Sequence, residues 1–153
     1  MTATELVLRP AVPADADAVA DVHLASRRAA AMPPGIHSAA EVRAWLAGRL
    51  TQDDVWVAEL GGQVVGYARF TATWLDDLYV APAHAGSGVG GALLDVVKSL
   101  RPGGFGLWVF EMNEPARAFY LRRGLVERER TDGRGNEEKA PDIRMEWPGA
   151  GTA

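Results

Sequence analysis

The sequence predicts an α/β (α+β) fold in which helices flank a mixed, largely antiparallel sheet, and three observations predict it. Two strand-like runs, 55–60 and 63–70, are joined by Gly61-Gly62, a pair whose access to positive φ suits a type I′ hairpin. From Trp74 to Gly124 the pattern changes to strand, helix, strand, helix. The chain has 153 residues and shows no repeat and no linker, so residues 1–148 read as one domain followed by a short mobile tail, 149–153.

The elements follow in order. Leu6-Val7-Leu8-Arg9 reads as a strand that Pro10 stops. Asp15 and Asp17 then place negative charge at a helix start, and Val19, Val22, His23 and Ser26 continue at helical spacing. The segment from Arg27 to His37, with Met32-Pro33-Pro34-Gly35, is a break. Ser38 and Glu41 form a capping box, and Val42, Trp45, Leu46 and Leu50 predict the buried stripe of a second helix. After the hairpin, Trp74 to Val80 is a strand. Val89, Leu93, Val96, Val97 and Leu100 mark the clearest amphipathic helix in the chain, ended by Pro102-Gly103-Gly104. Gly106 to Phe110 is a further strand, and Asn113 caps a helix that Gly124 terminates. Leu125 to Arg130 and Ile143 to Trp147 predict a closing hairpin around the polar loop Thr131 to Pro141.

Composition narrows the function. Hydrophobic residues make up 48% and charged residues 24%, the balance of a globular protein that keeps a real core. No apolar run reaches the ~18 residues of a membrane span and no basic-then-apolar leader opens the chain, so a cytoplasmic location is expected. The absence of cysteine excludes disulfides, thiolate metal sites and a cysteine nucleophile. His23, His37 and His84 are scattered without metal-ligand spacing, so no metal is expected. A formal charge of −4 disfavours nucleic acid, whose binding needs a basic face, and suits small cationic partners.

The strongest chemical signal is Leu78-Tyr79-Val80-Ala81-Pro82-Ala83-His84-Ala85-Gly86-Ser87-Gly88-Val89-Gly90-Gly91, a strand that passes through a glycine cluster into a helix. Four glycines at a helix start remove Cβ atoms where unpaired N–H groups and the helix dipole favour phosphate. The glycines also match G-x-G-x-x-G, with Glu111 near the place of the dinucleotide fingerprint's acid. That motif opens a parallel βαβ unit directly after its strand, whereas here five residues including Pro82 intervene and a hairpin precedes. Close helix–sheet packing alone does not account for four glycines, since each interior one costs roughly 0.5–1 kcal/mol of helix stability.

A second segment, Asn113-Glu114-Pro115-Ala116-Arg117-Ala118-Phe119-Tyr120-Leu121-Arg122-Arg123-Gly124-Leu125, sets a tyrosine at a fixed distance from a capping asparagine. Together the two segments resemble the GNAT superfamily of acyl-CoA-dependent N-acyltransferases, departing from its motifs at Ala85, where Arg or Gln is usual, and at Leu125, where Phe is usual.

The resemblance implies a sheet splayed between the strands at 74–80 and 106–110, with acetyl-CoA in the gap and no metal. Residues 85 to 91 (Ala85, Gly86, Ser87, Gly88, Val89, Gly90 and Gly91) would hold the pyrophosphate, with Ala85 giving only its amide. Leu78, Tyr79 and Val80 would hold the pantetheine arm through backbone groups, and Asn113, Ala116, Phe119 and Tyr120 would line its far side. Tyr120 matches the family's general acid to the departing thiolate. The resemblance also places a base on the strand at 74–80, on the face of Trp74 and Asp76. Asp76 acting through water is the expected base, with Asp77 and water alone as alternatives.

The reaction needs such a base. A lysine-like amine of pKa about 10.4 costs about 4.6 kcal/mol to deprotonate at pH 7. Arg117, Arg122 and Arg123 are either contacts to the CoA 3′-phosphate or solvated helix charges. The acceptor is expected to be a small-molecule or peptide amine, met in a pocket shaped by 27–37 and 131–141. No nucleic acid or membrane is expected as partner, and at most a second copy of the chain as a homodimer. The reading from a different class is a non-catalytic CoA-binding regulatory module.

Overall fold

A computed structural model describes residues 5–151; residues 1–4 and the end of the expected tail, 152–153, lie outside it. Two antiparallel sheets form. The first has the order β1 (Leu6–Pro10), β2 (Asp54–Leu60), β3 (Gln63–Phe70), β4 (Leu75–Val80), and the second has β5 (Phe105–Phe110), β7 (Asp142–Trp147), β6 (Val126–Thr131). The closing hairpin is therefore folded so that β7, not β6, lies against β5. Gly61 and Gly62 at φ 58° and 77° make the β2–β3 turn as their sequence implies.

Among the described residues a single isolated parallel bridge, Trp74 with Gly106, joins the two sheets, and there the Trp74 ring crowds any Cβ on Gly106. Beyond that point β4 and β5 diverge. This is the splay the resemblance implies, and among the described residues the inner edge of β4 has no strand partner.

Helix α1 (Ala16–Ala29) and α2 (Ala39–Gln52) cover one face of the first sheet, where Val19, Ala20, Val22, Leu46, Val55, Val57 and Tyr67 form a core. Helix α3 (Val89–Leu100) covers the other face, and with α4 (Glu114–Arg122) it joins the larger core of Phe70, Leu93, Leu94, Val97, Ile143 and Met145. The capping box of α2 forms as expected, Glu41 N–H donating to Ser38 Oγ at 3.1 Å and Ser38 N–H to Glu41 Oε1 at 3.0 Å. Its apolar stripe is narrower than predicted. Leu46 is buried while Trp45 is 50% exposed, because Trp45 turns toward a cavity and lies under Arg69, whose guanidinium carbon is 4.6 Å from the ring centre. Ala150 N–H donates to Pro102 O at 2.9 Å, which pins residue 150 to the turn after α3.

Candidate active site

Strand β4 separates two very different surfaces. On the α3 face lies the glycine turn. Gly86 and Gly88 take φ of 77° and 90°, a region that L side chains avoid, and a Cβ on either would meet no atom within 4 Å. The turn is thus strained for any other residue yet open to solvent, and it delivers the chain into α3 with Ala85, Gly86, Ser87 and Gly88 exposed. Val89 is buried beneath it, and a Cβ on Gly90 would touch Phe119 and Val80 at 3.5–3.6 Å, so α3, α4 and β4 converge here.

The edge of β4 faces the gap. Ala81 N–H bonds Val65 O across the β3 side, so by strand alternation the amides of Leu78 and Val80 turn the other way, toward β5. Val80 O accepts from Ser26 Oγ of α1 at 2.6 Å. Tyr79 offers the gap no side chain, because its ring points to α1 and its hydroxyl accepts from Arg27 Nη1 at 3.3 Å.

Across the gap, α4 presents Tyr120. Asn113 caps this helix weakly, its Oδ1 accepting from Ala116 N–H at 3.4 Å, and Phe119 meets Tyr120 edge to face at 5.1 Å. Tyr120 is 9% exposed and its hydroxyl has no hydrogen-bond partner among the described residues. Burial, reinforced by Tyr79 and Asp77, pushes its phenol above the ordinary value. Arg117 pairs with Glu127 at 3.2 Å and Arg123 stacks on Phe119, so both are engaged within the chain; Arg122 is exposed.

On the α1–α2 face lies a cavity of about 990 Å³, walled by both segments expected to shape an acceptor pocket, Arg27–His37 and the β6–β7 loop. Asp77, Glu41, Glu137 and Glu138 supply its carboxylates, and Ile36, Met32 and Trp45 its apolar wall. Arg27 lies 3.7 Å from Glu138, and its sealed Nη2 makes no hydrogen bond.

The two aspartates of β4 part company. Alternation places Asp76 on the face of Trp74 and Leu78, but a bulge between Arg69 and Phe70 pairs Leu75 with Phe70 and Asp77 with Arg69, leaving Asp76 as the extra residue. Leu75 and Leu78 thereby share one core, and Asp76 is turned outward, 3.9 Å from Arg69 and away from the cavity lining. Partial burial raises its carboxyl above the usual range, against the lowering effect of Arg69.

Asp77 is 7% exposed and lines the cavity floor, where its Oδ2 accepts from Arg69 Nε at 2.8 Å and from Tyr67 Oη at 3.0 Å. Arg69 also reaches Asp53 at 2.7 Å. His23, which the sequence left without a role, completes the group with Nδ1 at 2.7 Å from Tyr67 Oη. No cluster of three or more potential metal ligands forms among the described residues.

The chain thus presents a split sheet with an open glycine turn on one side of its edge strand and a carboxylate-rich cavity on the other. A family model, the acetyltransferase (GNAT) domain, matches residues 51–127, and the chain belongs to this family of acetyl-CoA-dependent acyltransferases. No curated protein sequence matches it.

Among solved structures, a GCN5-related N-acetyltransferase from Rhodopseudomonas palustris is 27% identical, with 97% of this chain and 98% of that one covered at a TM-score of 0.81. YncA from Salmonella typhimurium, solved with its cofactor acetyl-CoA, is 22% identical over 97% and 96% of the two chains at 0.73. The PaiA N-acetyltransferase of Thermoplasma acidophilum, solved with coenzyme A, is 17% identical over 94% and 99% at 0.72.

Proposed function

We propose that the protein moves the acetyl group of acetyl-CoA to a primary amine by direct attack in a ternary complex. The observation that carries this is the position of β4: a bare edge with a phosphate-type turn on one face and a cavity for a cationic partner on the other. Amides of residues 85 to 91, at the positive end of the α3 dipole, hold the pyrophosphate. The inward amides of Leu78 and Val80 bind the pantetheine arm and polarise the thioester carbonyl, whose developing oxyanion they stabilise. Ala85 lacks the side chain usual in the family, which lowers affinity but leaves its amide.

In this reading the amine nitrogen attacks the thioester carbon, the carbonyl electrons move to oxygen, and their return expels the thiolate. Tyr120, protonated because its buried phenol titrates high, gives its proton to that sulfur. The amine's proton has two routes: through water to Asp76 at the bulge, or into the buried group around Asp77. With no cysteine in the chain, no thiol is at hand to carry the acetyl group in a double displacement.

The test is CoA release from acetyl-CoA across a panel of amines and peptides. Initial-rate lines at several fixed acceptor concentrations should intersect; parallel lines, or an acetylated enzyme trapped without acceptor, would contradict direct transfer. Acetyl-CoA binding without turnover on any amine would favour the regulatory module.

A further inference from the structure

We propose that His23 Nε2 is the general base of acetyl transfer, held in the Nδ1–H tautomer by a buried relay through Tyr67 to Asp77. It requires that the protein transfer acetyl groups to amines, and it assigns the proton route of that reaction. A count of hydrogens fixes the relay. Asp77 Oδ2 accepts two hydrogen bonds, one from Arg69 Nε and one from Tyr67 Oη. The phenol has a single proton and it is committed to Asp77, so the 2.7 Å contact between Tyr67 Oη and His23 Nδ1 needs its hydrogen from the imidazole. Nε2 is therefore the ring nitrogen with the free lone pair.

That lone pair has access to the acceptor. His23 lines the cavity, and no group among the described residues bonds Nε2. The one sealed, unpartnered side-chain nitrogen or oxygen among these residues is Arg27 Nη2, so Nε2 is not closed off. The ring stands edge-on to Tyr79 at 5.0 Å, and Ser26, one turn on along α1, bonds Val80 O. His23 thus overlies the stretch of β4 whose inner edge faces the gap. Asp76 lies outside this cavity.

The surroundings keep the imidazole neutral and ready to accept. Burial lowers its pKa first, Arg27 and Arg69 lower it further, and Asp77 opposes them. Tyr67 and Tyr79 face it from β3 and β4 as neutral phenols, both raised by burial. Across the cavity stand Arg28, His37, Glu41, Glu137 and Glu138. As the carbon–nitrogen bond forms, the attacking nitrogen becomes acidic and passes its proton to Nε2. The imidazolium is stabilised through Nδ1–H, Tyr67 and the Asp77 carboxylate, then loses its proton to solvent, while Tyr120 regains one.

The test uses the full chain, 15N-labelled, with acetyl-CoA and n-propylamine as the probe pair. Imidazole NMR should show His23 as the Nδ1–H tautomer, protonating at Nε2 below pH 6.5; a dominant Nε2–H tautomer would overturn the assignment. The parent's kcat should fall with acid along the His23 titration. His23→Gln should lower kcat by about 10²–10⁴-fold and abolish that acid limb while binding acetyl-CoA as the parent does.

Tyr67→Phe, which keeps the imidazole but cuts the relay, should lower kcat less and shift the limb. If His23→Gln binds acetyl-CoA and keeps both rate and limb, the assignment is wrong. A limb removed by Asp76→Asn instead would pass the role to that residue. Failure of the parent itself to bind acetyl-CoA would overturn the acetyl-transfer reading rather than the base alone.

Discussion

The two faces of β4 are built from different materials. The α3 face presents backbone: a turn of glycines close together in sequence, Gly86 and Gly88 at positive φ, and edge amides of one strand. The α1–α2 face presents side chains drawn from far apart, with His23 meeting Tyr67 across 44 residues, Arg27 meeting Tyr79 across 52 and His37 meeting Glu137 across 100. A backbone site tolerates few substitutions because its geometry is the recognition element. A side-chain site can be rewritten one residue at a time without disturbing a backbone site beside it, so one fold can host different chemistries.

Changes on each side should therefore fail differently. The largest effect is expected from Tyr120→Phe, which removes a donor but fits the same packing, since the hydroxyl bonds nothing among the described residues. kcat should drop by about 10²–10⁴-fold with acetyl-CoA affinity unchanged, as steady-state kinetics beside calorimetry would show. Next comes Arg69→Ala on the acceptor side. It strips the guanidinium from Asp53 and Asp77, both side chains under 10% exposed, and should cost about 3–5 kcal/mol in denaturant unfolding. A loss near zero would mean that the buried network contributes little to the fold.

Gly88→Glu acts on the α3 face. Its φ of 90° strains any side chain, and the added carboxylate sits where pyrophosphate is expected, so acetyl-CoA should bind at least about 100-fold more weakly in calorimetry. NAD should bind far more weakly than acetyl-CoA to the parent.

The smallest effect is a contrast between two histidines. Buried His23 titrates below its unfolded value, so the unfolded chain binds more protons and stability falls as pH drops from about 6.5. His37, exposed and raised by Glu137, has the opposite sign and loses its contribution as pH rises above 6.5. Thermal melts from pH 5 to 8 should therefore show a rising limb that His23→Gln flattens.

What the sequence disclosed follows the same division. The glycine turn, the Asn113 cap, the Gly61-Gly62 hairpin and the long apolar stripe of α3 are local, so residue type and spacing reveal them. The acceptor side is not local. The bulge that turns Asp76 outward depends on the register of β3 against β4, which no residue near Asp76 encodes. Two adjacent aspartates in an apolar strand were the available hint. Trp45 fits a helical stripe, yet it faces a cavity, where Arg69 of β3 covers its ring. His23 sits at core spacing in α1, and only the meeting of α1 with Tyr67 gives it a partner. The insertion of β7 between β5 and β6 is equally a matter of pairing across the fold.

In the proposed function, β4 divides a backbone-built donor site from a side-chain-built acceptor site. Amide chemical-shift mapping of the labelled protein during an acetyl-CoA titration tests it most directly. Saturable shifts should concentrate at residues 85 to 91, Leu78, Val80 and the start of α4, with the amides of Ile36, Glu41, Glu137 and Glu138 nearly unmoved. Shifts centred on that cavity, with the glycine turn silent, would show that acetyl-CoA does not bind on the α3 face.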